Sequence, residues 1–593
     1  MQRLSRELSS SAQTADAQPS HIPGQIGRPL VFWVGVGLIA LGVMAELFDF
    51  SQAHALGITV SQRGFTPLAE VGLTSDVVGM LLAGIGLLPA GWRPRQRPVP
   101  SQDPSLSLDA VPVPDLDYAL VKNGSASQSG SSSTLLAMDS AKLSGTHGLM
   151  LVRLFIGLVL DTMKPATLGF MLPGMRAEYG VSAAEVSVFP VMALLGTTLG
   201  SVLFGYLGDV IGRRASFILT AILLAATSVC GLMPAFGWHL FACFMMGLAA
   251  GGELPLIYSM LAETMPAKHR GWLSVAIGGV GGLAGLLAAS GLAFLLEPAF
   301  SWRVLWLPNL PTALFMLFLL KWIPESPRYL MLRGFHVQAQ QAMAMVGVRL
   351  DTARVAALSV ATTARKHSPR EVFGRGMRGT TLTLCSYGVA WGLVNWGFIT
   401  WLPTMLRGLG LDAAATSGLL ATAAFFALPG TAAAAALFAF WSSKKSTVLF
   451  GAATCIALVG FGLGQPFLVI HPEFLGVALI ALLVASSSMS GVLAPYSVEL
   501  YPTALRGIGS GMVTASSKVG GVVGPTLIGV LLTLSPGLML PSLVIATPIG
   551  LASVLMAWRA AETRGKRLEE LTEEGSELGR PLETTPALAL ASH

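Results

Sequence analysis

The feature that most constrains this chain is a series of long, uninterrupted apolar runs. Twelve lie near 150–172, 186–207, 215–233, 238–261, 272–296, 303–323, 381–405, 415–440, 446–464, 474–495, 508–534 and 540–559. A run of about 20 apolar residues is what an α-helix needs to cross the hydrocarbon core of a bilayer. A membrane β-barrel would instead alternate apolar and polar residues in segments of about ten. The 593 residues are 53% hydrophobic and 11% charged, with mean hydropathy +0.66, whereas soluble domains carry about 25% charged residues. The fold class implied is an all-α polytopic membrane protein.

The twelve runs fall into two sets of six, separated by a basic connection. Between Pro324 and Arg378 stand nine Lys or Arg against three acids, which by the positive-inside rule makes this loop cytoplasmic. Arg213, Arg214, Lys268, Arg270, Lys444, Lys445 and Arg506 fall on the same side, so both termini are expected inside. The two sixes read as copies. Glu263-Thr-Met-Pro266-Ala-Lys-His-Arg270-Gly271 follows the fourth run, and Glu499-Leu-Tyr-Pro502-Thr-Ala-Leu-Arg506-Gly507 follows the tenth. Glu325 and Glu562, after the sixth and twelfth, repeat at nearly the same offset. Parallel six-helix repeats are a transporter architecture with a midplane site between the halves.

The chain then divides into an N-terminal extension (1–97), a Pro- and Ser-rich linker expected to be disordered (98–147), a first six-helix bundle (148–323), the cytoplasmic loop (324–378), a second bundle (379–560) and a tail (561–593). The extension holds an apolar run at 30–46 and a poorer one at 71–91, which as a helical hairpin would bring the count to fourteen spans. The spacing Asp49-x6-Leu56-Gly57 recurs as Asp161-x6-Leu168-Gly169, so the hairpin reads as a decayed partial copy of the first core hairpin; alternatively, 71–91 lies in the membrane interface or only packs on the core.

Gly205-Tyr-Leu-Gly208-Asp209-Val-Ile-Gly212-Arg213-Arg214 links the second and third runs. Its glycines allow a tight reversal, and its acid suits the N-terminus of a neighbouring helix. On this motif, the two E-x-x-P-x-x-x-R-G copies, Pro324-Glu325-Ser326-Pro327-Arg328 and Glu562-Thr563-Arg564-Gly565, the chain resembles the major facilitator superfamily over residues 150 to 570, in its sugar porter and organic ion branches. The resemblance implies that Asp209, Arg213, Arg214, Glu263, Arg270, Glu325, Arg328, Glu499, Arg506 and Glu562 form a cytoplasmic gating network. The second half keeps only Trp441-Ser-Ser-Lys444-Lys445 of the loop motif, so the network is expected to be asymmetric. Sugar porters carry hexose-binding glutamines in the fifth and seventh helices, and this chain has none there. The seventh run, with Trp391, Asn395 and Trp396, looks more like niacin and related metabolite carriers.

Four ionisable residues lie well inside the core runs: Asp161, Lys164, Glu253 and Lys518. A charge at mid-bilayer costs roughly 2.5–3.5 kcal/mol on insertion scales, so such residues face a cavity or a partner. Asp161 and Lys164 share a helical face and can pair. Asp161 is the candidate proton-linked carboxylate and Lys164 its counter-ion and contact for a substrate anion, with a structural ion pair as the alternative. Glu253 fits proton coupling or structural pairing, and Lys518 fits a substrate anion or an acid of the other half. Trp391, Asn395, Trp396 and Tyr496 are candidate cavity-lining residues. Single, scattered histidines build no metal site, and no phosphate-binding GxxxxGK[ST] loop is present.

The expected function is therefore a proton-coupled secondary transporter of a small organic solute, an organic anion or related metabolite, working as a monomer by alternating access. Its partners would be substrate, protons and lipid, with no cofactor, no nucleic acid and no enzymatic activity. A proton-driven exporter, a sugar porter and a non-transporting membrane sensor or scaffold stay open.

Overall fold

The computed structural model of the chain describes residues 28–56, 66–87, 143–345 and 373–562, apart from 234, 320–321, 333–334, 375–376, 472, 502–505 and 536. The linker expected at 98–147 lies outside the described residues up to 142, as do much of the 324–378 loop and all of the tail beyond 562.

Every element among the described residues is helical. A hairpin of α1 (Pro29–Ala55) and α2 (Pro67–Leu87) precedes α3 (Gly145–Tyr179), α4 (Val188–Ile211), α5 (Arg213–Ala226), α6 (Phe236–Thr264), α7 (Ala267–Phe300) and α8 (Asn309–Leu319). Two short helices, α9 (Pro327–Leu332) and α10 (His336–Met345), lie in the connection. Then come α11 (Arg378–Gly392), a π-helical stretch Leu393–Ile399, α12 (Thr400–Gly408), α13 (Ala413–Phe440), α14 (Ser443–Ile470), α15 (Glu473–Leu500), α16 (Arg506–Leu534) and α17 (Met539–Arg559). The end of the bundle beside α9 and α10 is called the loop end below, and the opposite end the far end.

Ten helices among the described residues are long and apolar enough to cross a membrane. They do not include α3, whose 35 residues hold Arg153, Asp161, Lys164 and Arg176, nor α5, which is α-helical for 14 residues before tightening into 3-10 geometry. In the hairpin only Pro29–Gly42 forms a shorter apolar stretch. The ten belong to the described residues, where α3 is set apart by its charges and α5 by its length.

Local chemistry sets the boundaries. The Asp412 carboxylate accepts the Ala415 N–H at 2.6 Å to start α13, and the Ser442 hydroxyl accepts the Lys445 N–H at 2.9 Å to start α14, each satisfying one of the N–H groups a helix start leaves free. Gly180, with φ 65°, closes α3 in the left-handed conformation. Inside each half, α4 packs on α6, α3 on α7, α14 on α17 and α11 on α16; across the halves, α7 lies against α13 and α15, and α16 against α4.

The hairpin is held by small residues. A side chain at Gly79 would meet the Gly35 carbonyl at 2.6 Å, and the Arg28 N–H donates to the Gly86 carbonyl at 2.8 Å. Such close backbone approach drives helix pairing where lipid offers no hydrophobic incentive. Phe32, Ile39 and Ala83 of the hairpin bury themselves against Ile222 of α5.

Gly212 turns the chain from α4 into α5 at φ 104°, ψ 155°, a region essentially closed to other residues. A side chain there would also meet the Glu325 carboxylate at 2.5 Å. Gly212→Ala is expected to destabilise the purified protein by about 1–3 kcal/mol. Gly205→Ala, in open space within α4, should leave stability unchanged or raise it by up to ~1 kcal/mol. Thermal unfolding in detergent separates the two, and equal melting temperatures would refute this role for the turn.

Candidate functional site

Two clusters of charge gather the residues singled out from sequence. The first lies inside the bundle. Lys164 Nζ on α3 donates to Glu253 Oε2 on α6 at 3.0 Å, with both side chains essentially fully buried. The sequence spacing offers Asp161 as the partner of Lys164, but the hydrogen bond goes to Glu253, 89 residues away. Asp161, itself buried, stands within hydrogen-bonding reach of Glu253 and within electrostatic range of Lys164 and Lys518. Asp161 Oδ1 and Glu253 Oε1 accept no hydrogen bond from the described residues. Beside Glu253, α6 runs very close to α4, Gly251 lying on the Thr197 carbonyl.

Lys518 enters from the other half. It sits on α16 with its ammonium 5.6 Å from the centre of the Trp396 ring, a cation–π arrangement. Among the described residues it forms no ion pair. Trp396 belongs to the π-helical stretch, a widened geometry that recurs at functional sites. The indole N–H groups of Trp391, Trp396 and Trp401 are buried and donate to no described residue. Asn395 lies in the same stretch and its backbone carbonyl accepts the Thr400 hydroxyl at 3.3 Å. Tyr496 is set elsewhere. It is fully buried near the C-terminal end of α15, and its hydroxyl donates to the Ala561 carbonyl at 2.5 Å, which ties two segments at the loop end.

The second cluster is at the loop end of the first half. The Glu325 carboxylate accepts the backbone N–H of Arg213 at 2.8 Å and of Arg214 at 3.1 Å, the first two residues of α5. The acid expected at a helix N-terminus is therefore Glu325, while Asp209 pairs within the turn with Arg213 at 2.7 Å. Burial pushes the Glu325 carboxyl above the usual carboxylate range, and the N–H bonds from Ser326, Arg214 and Arg213 pull against that shift. Arg213 also reaches Glu263 at 3.5 Å and lies 5.7 Å over the Tyr329 ring. Ser326, which the sequence reading did not single out, donates its hydroxyl to Glu263.

The second half repeats the device. Glu562 accepts the Ser443 N–H at 3.1 Å and the Ser442 hydroxyl at the start of α14. The half that lacks the Gly-Asp frame thus keeps the helix-capping acid. Glu499 has partners of its own at this end, whereas the side chains of Arg270, Arg328 and Arg506 fall outside the described residues.

Two far-end groups also escaped sequence reading. Arg303 is buried and donates to Glu178 at 2.7 Å, to the carbonyls of Gly231 and Met233, and to the Tyr179 hydroxyl, which also meets His239 at 3.0 Å. This binds the far ends of α3, α5 and α6 into one block. Arg407, at the end of α12, donates to both carboxylate oxygens of Glu297 on α7, each at 2.7 Å.

Comparison with known proteins agrees with this architecture. A niacin transporter of Acinetobacter baylyi is 26% identical over 421 residues, covering 70% of this chain and 94% of that protein. A gallate transporter of Pseudomonas putida is 27% identical, covering 68% and 89%. Among solved structures, the proton:xylose symporter XylE from E. coli superposes with a TM-score of 0.59 at 19% identity, covering 72% of this chain and 99% of that one; at that identity the likeness speaks for the fold. The sugar (and other) transporter family model matches residues 120–574. With its two sets of helices and a charged site between them, the chain belongs to this transporter family of the major facilitator superfamily.

Proposed function

We propose that the protein is a proton-coupled carrier of a small organic anion, and that the cluster of Asp161, Lys164, Glu253 and Lys518 inside the bundle is its transport site. The observation that carries this reading is the uneven pairing of the four charges. Lys164 is neutralised by Glu253 at 3.0 Å. Asp161 and Glu253, within hydrogen-bonding reach of one another, can hold one proton between them, because two like charges so close do not both remain ionised comfortably. Two lysines against two acids that share a proton leave one uncompensated positive charge. Lys518, without an ion pair among the described residues, is where that charge lies, and an anionic substrate completes the set.

Niacin and gallate, named for the two relatives, are both rings bearing a carboxylate. Lys518 beside Trp396 offers a cation for the carboxylate and an aromatic face for the ring. Exchange between proton and substrate at the cluster would couple the two fluxes, since arrival of an anion beside Lys518 alters the field at Asp161. The basic residues at the loop end support a cytoplasmic position for it, and in this reading Asp209, Arg213, Arg214, Glu263, Glu325, Glu499 and Glu562 are the cytoplasmic gate and α1–α2 an added pair of spans.

Two measurements test this reading. In proteoliposomes, Asp161→Asn should lose the stimulation of niacin or gallate uptake by an imposed proton gradient while retaining exchange of substrate at equal pH on both sides; retained stimulation would remove Asp161 from coupling. Lys518→Met should weaken binding of a ring carboxylate about 10- to 100-fold, the size of one lost hydrogen bond to a charged group. Binding of the corresponding uncharged amide should change little, and an equal loss for acid and amide would exclude Lys518 as the carboxylate contact.

A further inference from the structure

The ion pairs of Lys164, Arg213 and Arg303 each stay within the first half. Glu297 and Arg407 differ, because they join the two halves: Glu297 belongs to α7 and Arg407 to α12. Both carboxylate oxygens of Glu297 lie 2.7 Å from the same guanidinium nitrogen, and the side chains are only 6% and 19% exposed. An exposed pair contributes little because water competes for it, whereas one shielded to this degree keeps much of its strength.

The surroundings give the pair a direction. Glu297 is in the last turn of α7, which ends at Phe300, where the partial negative charge of the helix terminus disfavours an acid. Arg407 is in the last turn of α12, which ends at Gly408, where a cation is favoured. Separation of the two would therefore leave the carboxylate facing an unfavourable field with its compensating charge withdrawn. The same seam continues deeper into the bundle, where Gly169 of α3 sits against the Thr400 carbonyl at the start of α12. Thr400 and Arg407 are seven residues apart, about 10 Å along a helix, so the backbone contact and the ion pair close one edge of α12 at two levels.

We infer that Glu297 and Arg407 form a latch that holds the far end of the transporter shut and must break each time that end opens. The inference rests on the alternating-access reading, not on the substrate or the coupling ion. The latch biases the resting population toward the state closed at the far end, and the free energy of substrate binding has to exceed that bias for the opposite state to be visited. The π-helical stretch, which carries Trp396, precedes the latch on the same helical run, so a group bound at Trp396 acts on the segment that carries Arg407.

The test reads the opening of this seam directly. A thiol is introduced as Thr404→Cys, a buried position one turn beyond Thr400 on the same face of α12, and its reaction with a membrane-impermeant maleimide is followed in sealed vesicles of both orientations. Labelling is counted above that of the chain without this thiol. Glu297→Gln is expected to raise the labelling rate about tenfold or more, and the exchanged pair Glu297→Arg with Arg407→Glu to bring it back toward the parent value. Arg407→Lys, which keeps the charge without the guanidinium geometry, should give a several-fold rise and serves if Glu297→Gln does not fold, as judged by thermal unfolding. An unchanged rate in a folded variant, or a double exchange that labels as fast as Glu297→Gln, overturns the latch. An increase confined to vesicles exposing the other face supports the latch and reverses only the sidedness assignment, and no outcome depends on which solute is carried.

Discussion

Charge inside a bilayer has nowhere to go, and the rest of this molecule is arranged around that restriction. Water cannot solvate Lys164 or Glu253 at their depth, so α3 and α6 must approach closely enough for a 3.0 Å contact. The same α6 also runs tight against α4, where small residues line the crossing. One helix thus serves both a close backbone crossing and a buried ion pair. Removal of one partner would leave the other buried alone, a cost of about 3–5 kcal/mol in comparable pairs.

Much of the architecture was legible in the amino-acid order, because a membrane admits so few backbone solutions. The apolar runs, the basic connection and the copies at Glu263–Gly271 and Glu499–Gly507 by themselves point to two related six-helix sets. Asp161, Lys164, Glu253 and Lys518 stood out for the same reason, as charges where charge is expensive. Their pairing was not legible. Helical spacing offered Asp161 to Lys164, and only the tertiary packing shows that a residue on another helix receives the bond.

The acids at helix ends show a second limit. Glu325 and Glu562 were recognised as a repeat, yet their task of receiving the first N–H groups of α5 and α14 depends on where the chain returns after the sixth and twelfth helices. Arg407 and Glu297 are not marked in the sequence, since a residue a few positions from a loop gives no sign of the partner it meets across the molecule. The π-helical register at Leu393–Ile399 is equally silent in composition. What sequence conveys best is burial in lipid, and what it conveys least is which polar atoms finally face each other.

The hairpin α1–α2 adds a mechanical asymmetry. Its described packing is against α5, the 3-10 turn that follows and neighbouring α8, all parts of the first half, so its two helices travel with that half as a single body. A body enlarged in this way meets more viscous drag from the surrounding lipid when it tilts. In any relative rotation of two joined bodies the one with less drag takes the larger share of the angle, and the hairpin adds its bulk to the first half alone.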